Sequence, residues 1–277
     1  SVIDYFNYTV SDGTGTDTAE LKITIIGAGN TAPVARNDVG VISEDSTLTV
    51  SDGDNANETG DSGTTYNATG EHSGDVINTS STTHYDTDAE GDTIVVSSVR
   101  TGSVEGSGTA GTLGQALTGT YGQLTLNSNG SYTYVANQTA ADALDAGDTE
   151  DDVFNYTISD GNGGTDIGTI TITVIGINDA PVAQDDVGVI AEGSTLTVAN
   201  SANANVSGSY DATGEHSGDV IDTSSSSHTD SDADASSSLS ITHVKLSGGS
   251  NSTVASSSSY NSNGTSITGT YGTLTIG

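Results

Sequence analysis

The strongest constraint on the fold is an internal repetition of long, similar segments. The segment DVFNYTISDGNGGTDIGTITITVIGINDAPVAQDD starts at Asp152, and DYFNYTVSDGTGTDTAELKITIIGAGNTAPVARND starts at Asp4. Asp160 and Asp12, in the matching SDG turns, lie 148 positions apart. A repeat of this length is the size of a domain rather than of a short structural motif. The chain therefore reads as similar domains in tandem.

The repeated segment has the pattern of a β-hairpin. Tyr156 and Ile158, and then Ile170, Ile172 and Val174, alternate with Thr, Asn and Ser, as half-buried antiparallel strands require. The letters SDGNGG between them tolerate positive φ and tight reversal of the chain. A second hairpin is predicted around the SNG turn at 128–130. The sequence therefore predicts an all-β fold of two-sheet sandwiches.

The repeats predict three segments. Residues 1–29 hold the last two strands of one repeat, residues 30–177 form a complete β-sandwich repeat, and residues 178–277 form a repeat without its last strands. Two explanations stay open. Either the sequence is a stretch of a much longer chain, or chains join head to tail, with the amino-terminal hairpin of one completing the last sandwich of the next.

The net charge of the chain limits the classes of partner that it can bind. Four Lys and Arg stand against 37 Asp and Glu, for a net charge of −33. Nucleic acid is excluded as a natural partner, because its phosphates would be repelled, and insertion into a membrane is not expected without an apolar run of about 20 residues. Cys is absent, so neither disulfides nor thiolate zinc can stabilise the fold. Carboxylates this dense favour bound cations.

Several motifs of the chain resemble those of known bacterial repeats. The letters TYGQLTLNSNGSYTY, DVFNYTISDGNGGTDIGTITITV and INDAPVAQDD resemble the VCBS repeat of very large secreted bacterial proteins. The letters DTDAEGDTIVV, with GVISEDSTLTV before them, are similar to the cadherin-like repeats of bacterial adhesins. The resemblance implies an immunoglobulin-like (cadherin-like) β-sandwich, dependence on calcium, and an extracellular place in the stalk of a surface adhesin or in a biofilm matrix filament.

Two acidic loops are candidate calcium sites on their own chemistry. Calcium takes six to eight oxygen ligands from carboxylates, amides and main-chain carbonyls. Carboxylates at every second position in a loop can converge on one ion, and the first loop has four: Asp86, Asp88, Glu90 and Asp92. The second loop keeps Asp230, Asp232 and Asp234 but has Ser236 at the fourth position, so we expect it to bind more weakly. The alternative is a solvated acidic turn.

The linkers resemble the calcium-binding linker of cadherins. The resemblance implies that linker oxygens share an ion with a Glu of the preceding repeat and a DxD pair of the following one. At the later junction these residues are Asn178, Asp179, Asp230, Asp232 and Glu44, with Asp185 and Asp186 just beyond. At the earlier junction they are Asn30, Asp38, Asp86 and Asp88, and Thr31 replaces the linker Asp. Plain turns are the alternative at both linkers. Asp160 and Asp166, which flank a glycine-rich turn, fit an ion site and simple turn chemistry equally well.

The function expected from these features is structural. No GxSxG motif is present, and paired carboxylates are too common here to indicate acid–base catalysis, so we do not expect an enzyme. We expect a calcium-stiffened repeat of a secreted, cell-surface adhesin or filament, with other copies of itself as partners. The alternative is a module that binds a polysaccharide or a partner protein. Its ligand site would lie in loops that differ between repeats, at Ser51–Thr65 or Ser247–Ser259.

Overall fold

The computed structural model describes residues 1–27, 29–54, 70–77, 84–202, 205, 214–221, 228–256, 258–259 and 262–277. Most of the loop Ser51–Thr65, from residue 55 onward, lies outside these ranges, as does residue 257 of the serine-rich segment.

The chain divides into two compact units. Unit 1 comprises Ser1–Ile42, Ser46–Val135 and Asp151–Thr173, and unit 2 comprises Ser43–Asp45, Ala136–Glu150 and Val174–Gly277. The predicted domain boundaries after residues 29 and 177 stay a prediction.

The described elements follow the predicted all-β pattern. Up to Ile175 they are β1 (Val2–Ser11), β2 (Thr16–Ile25), β3 (Asp38–Ser43), β4 (Thr47–Val50), β5 (Glu71–His72), β6 (Val95–Thr101), β7 (Leu117–Thr118), β8 (Gln123–Leu126), β9 (Tyr132–Val135), α1 (Thr139–Asp142), β10 (Thr149–Ser159) and β11 (Thr165–Ile175). After it come β12 (Gly188–Val189), β13 (Glu215–His216), β14 (His243–Val244), β15 (Ser252–Thr253), β16 (Thr265–Thr268) and β17 (Thr273–Ile276). In the described part of the chain, no helix has the length and apolarity needed to cross a membrane.

Two sheets build the complete repeat in unit 1. One has the strand order β5-β3-β11-β10-β6 and the other β4-β9-β8-β7. Their inner faces meet, since the ring of Tyr134 in β9 lies 6.3 Å from that of Phe154 in β10, edge to face. Gly40 in β3 permits this approach, because a Cβ there would lie 3.0 Å from Cδ2 of Leu48 in β4 of the other sheet. The predicted β-sandwich class is confirmed.

The core follows from the period-two pattern of the strands. In β11 every second side chain from Gly168 to Val174 is buried. The fully buried side chains come from both sheets, and the largest are Tyr132, Tyr134, Tyr156, Phe154, Leu124, Leu126, Ile158, Ile170 and Ile172. Each contributes about 1.5–3 kcal/mol by leaving water, which explains how a chain with 32% hydrophobic residues sustains a folded core.

The amino-terminal hairpin of unit 1 has the same sequence pattern but no such burial. β1 and β2 pair antiparallel from Val2 opposite Ile25 to Ser11 opposite Thr16. Phe6 and Tyr8 are both 51% exposed, whereas their equivalents in β10 are 0% exposed. The hairpin therefore presents, to solvent, side chains of the type that form the core of the complete repeat.

Unit 2 contains the start of the second copy, and its local hydrogen bonds repeat those of unit 1. The amide of Ser217 donates to Val187 O at 2.9 Å, as Ser73 does to Val39 O at 2.9 Å. Ile221 N donates to Asp219 Oδ1 at 2.9 Å, as the equivalent amide in the first copy does to its Asp. Similar sequences thus build similar local structure in both copies.

Candidate metal centre

In unit 1, the first junction cluster comprises Asn30 and the acidic side chains around the linker that precedes β3. A backbone bridge positions it: Val34 N donates to Thr87 O at 2.7 Å, and Thr87 N donates back at 3.2 Å. This bridge lays the linker against the first acidic loop. The turn between β10 and β11 contacts the same linker through Asp160 and Asp166. The members of the cluster are Asn30, Asp86, Asp88, Glu90, Asp92, Asp160 and Asp166.

Asp86 is the most deeply buried member of this cluster, at 3% exposed. Its Oδ1 atom accepts a 2.6 Å hydrogen bond from Arg36 N, while its Oδ2 atom is buried without a hydrogen-bond partner in the described structure. Burial raises the pKa of Asp86 to about 7, and the nearby charge of Asp166 adds to the rise. Such a carboxylate gains from any cation that reaches it.

Asp88 has the same half-satisfied arrangement. Its Oδ1 atom accepts hydrogen bonds from the amides of Glu90 at 2.9 Å and Asp92 at 3.1 Å, which fixes the loop. Its Oδ2 atom is buried and has no hydrogen-bond partner among the described residues. Asp86 and Asp88, which lie two positions apart, therefore each keep one buried oxygen that is available to a cation.

The β10–β11 turn belongs to this cluster, a point that the sequence left open. Asp166 Oδ2 accepts from Ala35 N at 2.8 Å, and Asp160 Oδ2 accepts from Asn30 Nδ2 at 2.7 Å. Hydrogen bonds from Asn30 and from the turn amides lower the pKa of Asp160. Both turn carboxylates are thus held at the linker.

Asp38 is used differently from the other predicted ligands. It is 1% exposed, and its two oxygens accept from Ser73 Oγ at 3.1 Å and from Tyr156 Oη at 2.6 Å. Burial raises its pKa well above the ordinary value. The structure places Asp38 in the core of the sandwich, hydrogen-bonded through both oxygens.

In unit 2, the second junction cluster comprises Glu44, Asp179, Asp234, Asp145 and Ser236. Glu44 is 0% exposed. Its Oε1 atom accepts a 2.5 Å hydrogen bond from Ile177 N, and its Oε2 atom is buried without a hydrogen-bond partner in the described structure. Glu44 and the backbone at the start of the later linker are therefore in contact.

Asp234 joins the linker from the second acidic loop. Its Oδ2 atom accepts from Asp179 N at 3.0 Å, and its Oδ1 atom is buried and has no hydrogen-bond partner in the described structure. Burial raises the pKa of Glu44 and of Asp179, and the charge of Asp234 adds to both rises. The like charges repel one another at this point, which favours a shared cation.

Asp145 is a member that sequence reasoning missed. Its two carboxylate oxygens accept from the backbone amide of Ser236, at 2.9 Å, and from the Ser236 hydroxyl, and these bonds lower its pKa. Ser236 is the residue that replaces Asp92 in the second loop. The only sequence signal is an acidic residue in the loop after α1, which is too common in this chain to single out.

The remaining predicted ligands make hydrogen bonds to other protein groups. Asp230 accepts from Gln184 N at 2.7 Å, as its equivalent Asp86 does from Arg36 N. Asp186 Oδ1 accepts from Ser217 Oγ, and the carbonyl of Asp185 contacts His228 Nδ1. Two contacts are local in sequence: Asp232 Oδ1 accepts from Asp234 N, and Asn178 Nδ2 donates to Asp179 O.

The donor chemistry fits a hard divalent cation. In the described ranges, no three His, Cys, Asp or Glu side chains are arranged closely enough to hold a metal as they stand. Yet four of the predicted ligands, two in each cluster, bury a carboxylate oxygen with no hydrogen-bond partner in the described structure: Glu44, Asp86, Asp88 and Asp234. An all-oxygen donor set of this kind suits calcium rather than zinc. The chemistry of these residues therefore fits calcium.

Comparison with known proteins finds a family that is similar to part of this chain. Residues 53–176, just under half of the chain, match the family described as bacterial cadherin-like domain.

One curated relative also matches. The chain is similar to the calcium-binding lectin RapA2 of Rhizobium johnstonii, with 37% identity over 67 residues. The match covers 24% of this chain and 28% of that protein. The chain thus spans well under half of the length of this relative.

Proposed function

We propose that this chain is a calcium-binding structural repeat of an extracellular bacterial adhesin stalk or surface filament. The observation that carries the proposal is the burial of carboxylate oxygens without hydrogen-bond partners at both junctions, at Asp86 and Asp88 and at Glu44 and Asp234. The match to bacterial cadherin-like domains and the similarity to a calcium-binding lectin support it.

The residues of the junctions would perform three tasks. Backbone amides at Arg36, Ile177 and Asp179 hold one oxygen of a carboxylate in place, so the second oxygen is already oriented. The acidic loop and the linker then come together with little loss of conformational freedom. Bound calcium supplies the positive charge that offsets the mutual repulsion of the carboxylates. A junction held in this way bends less than a plain linker.

The proposal includes assembly and location. The chain would act outside the cell, in a stalk or biofilm matrix, without catalytic activity of its own. Copies would join head to tail by strand addition, which suits a hairpin whose apolar residues are half exposed.

The test is thermal unfolding together with small-angle scattering, in calcium and in excess chelator. We expect chelation to lower the midpoint of thermal unfolding by ~5–10 °C. This is the effect of removing a ligand whose concentration was well above its dissociation constant. The maximum particle dimension should change at the same time. Magnesium is the matched control, because it prefers a tighter octahedral shell and keeps its water. Identical unfolding and scattering in calcium and chelator would contradict the proposal.

A second candidate function is binding of a carbohydrate. It is favoured by the similarity to a lectin and by a shallow groove at the start of the loop Ser51–Thr65. The groove is lined by side chains of β4, of the β8–β9 turn and of the loop itself, among them Ser51, Asp52, Asn127, Asn129 and Ser131. Glycan binding that survives Asp86→Asn and Glu44→Gln would favour this function over the structural one.

A further inference from the structure

The complete repeat contains two Asn-Gly pairs, a sequence that is open to spontaneous deamidation. Asn129-Gly130 lies in the turn between β8 and β9, and Asn162-Gly163 lies in the turn between β10 and β11. In this reaction the backbone nitrogen of the glycine attacks the side-chain amide carbon of the asparagine. Glycine allows the attack because it has no side chain to hinder the approach. The reaction therefore needs a glycine amide that is free to move.

In the turn between β8 and β9 this amide is already engaged. Gly130 N donates to Asn127 O at 3.1 Å, and Gly130 is buried. A Cβ added at Gly130 would lie 2.8 Å from Asp75 Oδ1, so the turn is packed against the rest of the repeat. Attack by this nitrogen requires the hydrogen bond to break and the turn to open.

The turn between β10 and β11 leaves the corresponding amide free. Its other amides are bound: Gly161 N donates to Ser159 Oγ at 3.2 Å, and Asn162 N and Gly164 N donate to Asp160 Oδ1 at 2.7 and 3.0 Å. Gly163 N makes no hydrogen bond to a described residue. Asn162 and Gly163 are both exposed, and a Cβ added at Gly163 would meet nothing within 4 Å. Solvent therefore reaches the one amide nitrogen of this turn that the reaction uses.

The side chain of Asn162 links two elements of the first junction cluster. Its Nδ2 atom donates to Asp92 Oδ2 at 2.8 Å, across 70 positions of the chain. This hydrogen bond ties the β10–β11 turn to the first acidic loop. A carboxylate oxygen in place of Nδ2 cannot donate, and it would bring a second negative charge to Asp92.

We propose that Asn162 deamidates spontaneously, and that this turns a hydrogen bond of the first junction cluster into a pair of like charges. Gly163 N bonds to Asn162 Cγ, the Cγ–Nδ2 bond breaks, and the proton of Gly163 N leaves with Nδ2 as ammonia. Water then opens the succinimide ring at either carbonyl. One product is aspartate, and the other is isoaspartate, in which the main chain runs through Cγ and is one atom longer. Both products carry a new carboxylate.

The consequence for the protein is a slow change at the junction that needs no enzyme. Each event adds one negative charge beside Asp92 and removes the tie between the turn and the loop. The inference goes beyond the proposed function, because neither the reaction nor the loss of the hydrogen bond involves calcium. Chains should therefore lose this contact as they age, while the turn at Asn129 stays intact.

The test follows the full 277-residue chain by peptide mass spectrometry over several weeks in mildly alkaline buffer. Cleavage after Glu separates the two sites, since residues 106–150 contain Asn129 and residues 151–192 contain Asn162. Each deamidation adds about 1 Da. In the folded chain we expect Asn162 to react about tenfold faster than Asn129, because reaction at Asn129 requires its turn to open. In guanidinium chloride, which removes the fold, the two rates should become similar.

Three variants test the site and its effect. Asn162→Gln keeps a side-chain amide but must close a larger ring, so it should remove the fast reaction from residues 151–192. Asn162→Asp places the new charge in every chain and should lower the midpoint of thermal unfolding in chelator by ~2–4 °C. Asn129→Asp is the matched control and should lower it less, because in the described structure Asn129 Oδ1 only accepts hydrogen bonds, from the amide and hydroxyl of Ser131.

Each contrary outcome overturns a different part of the inference. Equal rates at the two sites in the folded chain overturn the assignment of Gly163 N as the free nucleophile. A preference for Asn162 that persists in guanidinium chloride overturns the role of the fold in selecting the site. An unchanged midpoint for Asn162→Asp overturns the effect on the junction.

Discussion

Ile177 N and Glu44 Oε1 lie 2.5 Å apart, so the residue that begins the later linker is bound to a carboxylate 133 positions earlier in the chain. The other oxygen of this carboxylate is buried and has no hydrogen-bond partner in the described structure. One side chain therefore anchors the linker through one oxygen and keeps the other oxygen buried without a hydrogen bond. We therefore expect removal of its charge to change the stability of the fold differently with and without calcium.

Glu44→Gln should act in opposite directions in the two conditions. In chelator we expect a gain of ~0.5–1.5 kcal/mol in the free energy of unfolding, because the substitution removes a carboxylate whose pKa is raised by burial and by nearby acidic charges. In calcium the variant should lose most of the stabilisation by the ion. Urea unfolding in both buffers measures this. Glu192→Gln, the exposed equivalent in the second copy, is the control and should change neither value.

The raised pKa of Asp86 predicts that the stability of the fold depends on pH. Its pKa of about 7 in the folded protein lies above the ordinary value of 3.8, so the folded state binds the proton more tightly. The contribution of Asp86 to stability in chelator should therefore be fully present below about pH 4 and fall by ~1–4 kcal/mol as pH rises through about 7. Asp86→Asn should remove most of this fall. Denaturant unfolding from pH 4 to 8 measures this fall. Asp230→Asn, at the less buried equivalent position, is the control. If the free energy of unfolding depends on pH equally in both variants, Asp86 is not the group responsible.

Calcium should displace a proton at this site. If the ion takes the ionised carboxylate of Asp86, binding near pH 7 releases protons, and the heat of binding depends on the ionisation enthalpy of the buffer. Calorimetry in two buffers measures the number of protons released. Asp86→Asn should bring that number close to zero, whereas a number unchanged by this substitution would contradict a role for Asp86 as ligand.

Ser236→Asp tests the predicted weakness of the second acidic loop. The new carboxylate would face Asp145, which now accepts hydrogen bonds from Ser236. In chelator we expect a loss of ~1–2 kcal/mol from the lost hydrogen bonds and the like-charge contact. In calcium the loss should be reversed, because a fourth carboxylate becomes available. Ser237→Asp is the neighbouring control, and destabilisation of equal size in both buffers would count against a calcium site there.

Asp152→Asn should be one of the most damaging single substitutions in the complete repeat. The neutral side chain cannot accept from the three amides of the turn at 120–122 and the Tyr134 hydroxyl at once, which leaves buried donors unsatisfied. We expect a loss of ~2–4 kcal/mol in the free energy of unfolding. Asp151→Asn, at an exposed neighbouring position, should cost under about 0.5 kcal/mol. Near-equal costs for the two would show that the turn does not depend on this carboxylate.

The fold was largely predictable because strands leave a strong trace in sequence. The alternation around Tyr156 and Ile158 predicted buried faces, and both residues are 0% exposed. The letters GTYG occur at 119–122 and again at 269–272, and the two turns close with the same backbone hydrogen bond. The membership of Asp160 and Asp166 in the first junction cluster could not be predicted. It depends on pairing between strands and a linker about 130 residues apart.

The sequence by itself determined the class of fold, the tandem organisation and the acidic, oxygen-rich chemistry, because period-two patterning and charge are local properties of the chain. Tertiary structure decided which of many similar carboxylates have distinct roles. Asp38 became a core hydrogen-bond acceptor, Asp152 closed a turn, Asp145 joined the second junction, and Asp86 kept a buried oxygen without a hydrogen-bond partner. The physical reason is that desolvation and hydrogen bonding depend on neighbours brought together by packing, and an Asp carries no trace of those neighbours in its own stretch of sequence.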